Sequence, residues 1–240
     1  MKLLFFGTGS IGSRHIKIIQ ENYSHTIYAF RSSCTSKNIP GVINIDSWDL
    51  VDKIKPEVAF ICNPTELHIQ TALQCAERDM ALFIEKPIDN KMTGLGKLKR
   101  IIERRNLVSY VAYPFRHHPV VQKIKTLPAC SSALLICHTD ASAWPGTRKL
   151  DHKYLELSHE IDMAAWLFGG KGVNYSLSLD ADVEERGIFY GEEWFDLLDK
   201  SDMYERQIEY FFANIANPRM MNNIFEASEI FKDLIGMINE

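Results

Sequence analysis

Three short segments of this 240-residue chain hold residue types that can do chemistry. The first is Gly7-Thr8-Gly9-Ser10-Ile11-Gly12, a G-x-G-x-x-G spacing directly after an apolar run. The second is "ALFIEKPID" (81–89), where an apolar run ends on Glu85, Lys86 and Pro87 instead of ordinary turn residues. The third is "LELSHEID" (155–162), where Glu156, His159 and Asp162 recur every three residues, so that a helix sets them side by side. A lysine can donate to a carbonyl or hydroxyl oxygen, and a histidine oriented by a carboxylate can carry a proton near neutral pH. In the glycine triplet Gly7 permits a tight turn, Gly9 lets the backbone approach a diphosphate, and Gly12 lets a helix pack closely on a strand.

Elements must position these segments, and the hydrophobic pattern supplies them. In the first half, apolar runs at 2–7, 26–31, 42–45, 57–63, 81–86 and 107–113 read as strands. Helical patterns at 10–22, 47–54, 66–79 and 92–106 separate them, which predicts a parallel sheet covered on both faces. After "YPFRHHP" (113–119) the rhythm changes. Strands are expected at 133–141, 173–183 and, as one or two more, within 187–198; helices at 154–170, 203–217 and 225–238. The expected fold class is α/β: an N-terminal Rossmann dinucleotide-binding domain over 1–118 and an α+β domain over 119–240.

Within that frame the glycine loop follows the first strand and opens the first helix, the setting that gives the spacing its meaning as a dinucleotide site. The helix N-terminus then offers amide donors to phosphates. The second strand ends on Arg31-Ser32-Ser33 with no carboxylate to hold a ribose 2′-hydroxyl. Arginine beside hydroxyls suits a 2′-phosphate, so NADP(H) is the expected cofactor and NAD(H) the second choice. Ligands of such sheets lie outside the carboxyl ends of the strands, which is where Lys86 and "CNPTELH" (62–68) fall. Glu85 anchors the backbone or holds Lys86, and Pro87 stiffens the turn. Asn63, Pro64, Thr65 and His68 are placed to meet the nicotinamide ribose, with a helix cap as the other reading of His68.

Composition removes several classes. The formal net charge is −4, and "KLKRIIERR" (97–105) has the spacing of a solvated helix face, so no nucleic-acid surface is expected. The apolar run Leu3–Phe6 is too short for a secretion leader, and no stretch approaches the ~20 residues of a membrane span. Five cysteines without a C-x-x-C pair argue against a disulfide framework and a zinc site. His117 and His118 are adjacent, so an extended segment points them apart, and no metal is expected. The location expected is cytoplasmic, with reduced thiols.

The segments "GTGSIG", "VAFICNPTELHIQTAL", "FIEKPI", "YPFRHHP" and "LELSHEIDMAAWLFG", in this order, resemble the Gfo/Idh/MocA family of glucose–fructose oxidoreductase and inositol dehydrogenase relatives. The resemblance covers about residues 1–170. It implies an NAD(P)-dependent oxidoreductase that transfers hydride between nicotinamide and a hydroxyl or carbonyl of a sugar, nucleotide sugar or polyol. Lys86 would be the family's lysine and His159 the acid/base, oriented by Glu156 or Asp162. Arg116 and His118 would meet the substrate, as would Trp144 in "ASAWPG", on a loop the family keeps near it. Arg116 and the "LSHEID" segment narrow the expected substrate to a nucleotide sugar or an acidic sugar related to sialic acids. Two departures stand out. Relatives commonly carry aspartate at the position of Glu156. They also insert several strands of a broad sheet, often the subunit interface, where this chain has only "EERGIFYGEEWFDLLDK" (184–200). The trimmed sheet leaves a homo-oligomer open. It also keeps a second reading alive, a dinucleotide-binding accessory or regulatory protein with weak or no turnover, against which the retention of both Lys86 and His159 weighs.

Overall fold

The computed structural model describes residues 1–31, 38–89, 91–129, 132–140, 158–169, 173–178, 180–199 and 202–238. Ser32, Trp144 and Glu156 therefore lie outside the described residues. In chain order the strands are β1 (Lys2–Phe6), β2 (Thr26–Phe30), β3 (Val42–Ile45), β4 (Val58–Ile61), β5 (Ala81–Glu85), β6 (Ser109–Ala112), β7 (Ala133–Asp140), β8 (Val173–Ser178), β9 (Asp180–Tyr190) and β10 (Glu193–Asp196). The helices are α1 (Ser10–Asn22), α2 (Trp48–Ile54), α3 (His68–Ala76), α4 (Leu95–Arg105), α5 (Pro119–Lys125), α6 (Ser158–Phe168), α7 (Met203–Asn214), α8 (Pro218–Met221) and α9 (Ile224–Ile238). Contacts divide the chain into Met1–Ala112 with Ile208–Ser228, and Tyr113–Gln207 with Glu229–Glu240. The first unit thus takes back a segment from near the C-terminus.

In the first unit all six strands pair in parallel, in the order β3-β2-β1-β4-β5-β6. Strands β4 and β6 are buried at every residue, which is why they read as unbroken apolar runs without alternation. The order reverses between β1 and β4, so the crevice for a ligand opens at the carboxyl ends of these two strands. One layer of the core is an aromatic ladder. Phe5, Phe60, Phe83 and Tyr110 occupy paired positions on β1, β4, β5 and β6. Their rings follow one another at 4.6, 4.7 and 5.5 Å. Phe211, fully buried on α7, sets its edge against Phe83 at 5.2 Å.

The open edge of β6 is closed by side chains. Asn222 Oδ1 accepts from the Ser109 amide at 2.6 Å, and its Nδ2 donates to the Leu107 carbonyl at 2.9 Å. Asn223 repeats the pattern on both backbone groups of Val111, at 2.6 and 2.8 Å. Two carboxamides thus satisfy strand groups that a further strand would otherwise pair.

The second unit holds a mixed four-stranded sheet, order β10-β9-β7-β8, with β7–β8 parallel and the other pairs antiparallel. Its core gathers Leu135, Ile188 and Phe195 from the sheet with Phe115, Val121 and Met163. The single strand expected over 173–183 is two, β8 and β9. The alternation continues on both sides of residue 179, so a period of two cannot mark the break. The stretch 187–198 supplies the end of β9 and all of β10, joined at Gly191, whose φ of 64° suits a tight hairpin. Helix α5, with only seven residues, has no expectation in the sequence pattern because two turns are too few to establish a period.

Candidate functional site

The glycine loop joins β1 to α1, and each glycine has a different physical reason. Gly7 has φ +88°, and a Cβ there would lie 2.3 Å from the Cys62 carbonyl oxygen. A Cβ on Gly12 would lie 2.2 Å from the Gly7 oxygen, so the helix could not approach the turn. Gly9 is exposed, has an ordinary φ of −67°, and a Cβ there would meet nothing within 4 Å. The chain's own packing does not require glycine at Gly9. The space beside its backbone is open, and a diphosphate is a group that would need such a close approach. Helix α1 fits this reading, with no side-chain cap bond and no acid in its first turn. Ser10 is exposed at its start, and Ile11 is half-buried against the core beneath.

Arg31 follows β2 and reaches the loop. Its Nε donates to Asn44 Oδ1 on β3 at 2.8 Å, and its Nη1 donates to Thr8 Oγ1. The guanidinium therefore sits beside the glycine turn, where the adenosine end of a dinucleotide is held in this fold. The role of Asn44 depends on the β2–β3 pairing and is invisible to local spacing.

The carboxyl ends of β4 and β5 form the other wall. Glu85 is buried, with one carboxylate oxygen 2.6 Å from Nε2 of the fully buried His15 on α1. The other oxygen accepts from the Lys86 amide at 3.3 Å. His68 is buried at the start of α3, with Nδ1 2.9 Å from the Pro87 carbonyl oxygen and Nε2 2.8 Å from that of Asn63. A neutral ring can donate to one of these carbonyls, and only the protonated ring to both. Burial lowers the His68 pKa, against the pull of the two carbonyls, Glu85 and Asp89. Asn63 also donates from its side chain to Thr71 Oγ1 at 2.9 Å. Pro64 is exposed and Thr65 half-buried on the single 3-10 turn that leads into α3. Cys62 lies beneath Gly7, and burial, with the Glu85 charge near it, raises its thiol well above the usual range.

In the second unit α6 carries His159, Glu160 and Asp162, all buried. The His159 ring meets the edge of Phe115 at 4.9 Å. Asp162 takes the Arg116 guanidinium, with Nε at 2.9 and 3.0 Å from its two oxygens and Nη2 at 2.5 Å. The rings of Tyr113 and Trp166 flank the same guanidinium at 5.4 and 5.9 Å. Glu160 forms a second buried ion pair with Arg186, whose Nε lies 2.9 Å from its carboxylate. Arg186 also donates to the Cys137 sulfur at 3.1 Å and lies over Phe115. Burial, and then the Glu160 charge, push the Cys137 thiol up to about 11.

His118 caps α5. Its Nδ1 accepts from the Val120 amide and its Nε2 lies 2.5 Å from the Asp199 carbonyl oxygen, so both ring nitrogens meet backbone groups. His117 is held at a pKa of about 4 by burial and by the adjacent Arg116. Nothing in the local sequence singles out Glu160 and Arg186 as partners. Their pairing joins residues 26 apart, and an arginine on an alternating strand reads as solvent-facing.

Residues 1–113 match the model of the oxidoreductase family with an NAD-binding Rossmann fold, Gfo/Idh/MocA. Among curated proteins, the chain is similar to the uncharacterized oxidoreductase YrbE of Bacillus subtilis, 25% identical over 69% of this chain and 53% of that protein. It is also similar to the 2,7-anhydro-N-acetylneuraminate hydratase of Mediterraneibacter gnavus, 21% identical over 78% of this chain and 54% of that one. The chain thus spans about half the length of these curated relatives. Among solved structures, the WlbA (WbpB) dehydrogenase of Thermus thermophilus, in complex with NAD and UDP-GlcNAcA, superposes with a TM-score of 0.78 at 16% identity. That likeness covers 98% of this chain and 93% of the other, and shows a shared fold. Among the described residues, no helix is long and apolar enough to cross a membrane.

Proposed function

We propose that the chain serves a dinucleotide-dependent oxidoreductase reaction in which hydride moves between nicotinamide and a hydroxyl or carbonyl carbon of a sugar-like substrate. The observation that carries this reading is Gly9, a glycine the chain's own packing does not need, at the uncapped start of α1. When bound, the nicotinamide supplies the hydride donor or acceptor. The chain's own residues do the rest. The Gly7–Gly12 turn holds the diphosphate, and Arg31, with Ser32, takes a ribose 2′-phosphate, which favours NADP(H) over NAD(H). Asn63, Pro64, Thr65 and His68 border the approach of the nicotinamide ribose. Lys86 donates to the substrate oxygen, and His159 takes or returns the hydroxyl proton, oriented by Glu156 or Asp162.

Arg116, His118 and Trp144 are the proposed substrate contacts. Arg116 is the cation proposed to meet a substrate carboxylate, which favours an acidic sugar or nucleotide sugar over a neutral polyol; such a carboxylate would have to share or displace the contact with Asp162. Two relatives support that class, since UDP-GlcNAcA and 2,7-anhydro-N-acetylneuraminate are both acidic sugar compounds.

The test is a fluorescence titration with NADPH and, separately, NADH, followed by a turnover screen over acidic sugars and nucleotide sugars. Saturable binding with NADPH the tighter ligand, and turnover abolished by His159→Ala, is the expected result. Binding without turnover would favour an accessory role. Binding of neither would sink the proposal.

A further inference from the structure

The Lys86 turn is gripped from two sides by buried side chains, His15 with Glu85 on one and His68 on the other. On one side His15, at the middle of α1, meets Glu85 Oε1 at 2.6 Å, while Glu85 Oε2 accepts from the backbone amide of Lys86 itself at 3.3 Å. A carboxylate only accepts, so His15 Nε2 carries the proton of this contact. The His15 ring is fully buried and packs edge-on to Phe83 at 5.2 Å, which fixes its plane on the same strand that ends in Glu85. On the other side His68 Nδ1 lies 2.9 Å from the carbonyl of Pro87, the residue directly after Lys86. Its Nε2 lies 2.8 Å from the carbonyl of Asn63, two residues beyond β4. A neutral ring donates to one of the two carbonyls, and the tautomer with the proton on Nδ1 is the one that holds Pro87. The backbone is therefore held at Lys86 N–H and again at Pro87 C=O, one residue apart.

A lysine is a long, flexible side chain, and one that must present its amine to a single oxygen gains from a backbone that cannot move. We infer that His15, Glu85 and His68 are positioning residues for Lys86, and that His15 links the helix opening at the glycine loop to the turn that carries the lysine. None of the three needs to touch a ligand in this role. Each is buried, and each contact joins different elements: α1 to β5 through His15, and α3 to the following turn through His68. The inference rests on the proposed function for its purpose, while the grip itself is a property of the folded chain.

Competitive amine labelling tests it without cofactor or turnover. The protein is treated with a trace of acetic anhydride at fixed pH, and the rate at Lys86 is read by peptide mass spectrometry relative to the exposed Lys17. In His15→Phe and in His68→Leu the ratio should change by about threefold or more, the scale expected for directly coupled neighbours. In His15→Gln, whose amide can still donate to Glu85, it should return close to the wild-type value. Ratios for Lys53 and Lys97 should stay constant, since a general loosening would move them as well. If His15→Phe fails to fold, Glu85→Gln keeps the volume and weakens the same contact, and the ratio should shift in the same direction. An unchanged Lys86 ratio in folded variants, or an equal change at all lysines, would overturn the inference. Loss of NADPH and NADH binding in the wild-type protein would sink the proposed function and leave the labelling result standing.

Discussion

In the first unit the residues that could do chemistry stand on turns at strand ends, over a core in which four aromatic rings step across adjacent strands. In the second they lie within or against α6, a helix buried at seven successive residues and tied down by two arginines. The first arrangement gets rigidity from backbone pairing and apolar contact, so its few polar contacts are left to set the exact placement of a turn. The second takes charges out of water, where each ion must be matched by its partner or the structure is weakened. A substitution at a turn in the first unit should therefore change binding with little effect on stability. A substitution at α6 should do the reverse.

The largest effect expected would break the comparison at its root. A chain ending at residue 118 loses Ile208, Phe211 and Met221 from the core of the first unit, together with both asparagines on the β6 edge. It should show no cooperative thermal unfolding by circular dichroism. A sharp transition would mean that the ladder of rings suffices alone.

Next in size, Asp162→Asn leaves the Arg116 guanidinium without its carboxylate. It should cost about 3–5 kcal/mol in urea unfolding, the range for breaking one partner of a buried pair. Replacing Arg116 and Asp162 together by apolar residues should cost clearly less. Equal costs would mean that the pair is not what holds α6.

Within the first unit, Gly9 and Gly12 make a sharper test. Gly12→Ala sets a Cβ 2.2 Å from the Gly7 oxygen and should destabilise the fold by about 1–3 kcal/mol, as overpacking does. Gly9→Ala should leave the unfolding midpoint in place while weakening NADPH by about tenfold, a loss near 1.4 kcal/mol. If Gly9→Ala lowered stability and left the titration unchanged, the loop would be structural.

The smallest effect concerns acid. His117 in the fold protonates near pH 4, while an unfolded chain protonates it near 6.5. Between those values the unfolded state binds the extra proton, so stability present above pH 6.5 declines as the pH falls toward 4. His117→Gln should flatten that part of the melting-temperature profile, by on the order of 1 kcal/mol for a half-buried group. An unaltered slope would assign the acid sensitivity elsewhere.

What the sequence made legible divides along the same line. Six parallel strands and four helices follow from local apolar runs, and the glycine loop and the Glu85–Pro87 turn are contiguous segments whose setting can be read along the chain. Contacts across distance are another matter. Glu85 could be read as an anchor, yet nothing in the sequence singles out His15, 70 residues earlier, as what holds it. Helical spacing makes Asp162, with Glu156, a candidate to orient His159. The Asp162 carboxylate also meets the fork of Arg116, 46 residues away, a contact made by packing and invisible to spacing. His118 is read from the sequence as a substrate contact, and its place beside the Asp199 backbone, at the start of α5, is set by a residue 81 positions away.

The two asparagines on β6 also order events in time. A ribosome delivers residues 113–207 before it delivers Asn222 and Asn223, so the nascent first unit waits with its last strand bare while the whole intervening stretch is made. During that interval β6 is an edge open to any passing strand. Slowing synthesis after residue 113 should therefore increase the aggregated fraction, and added chaperone should reduce it.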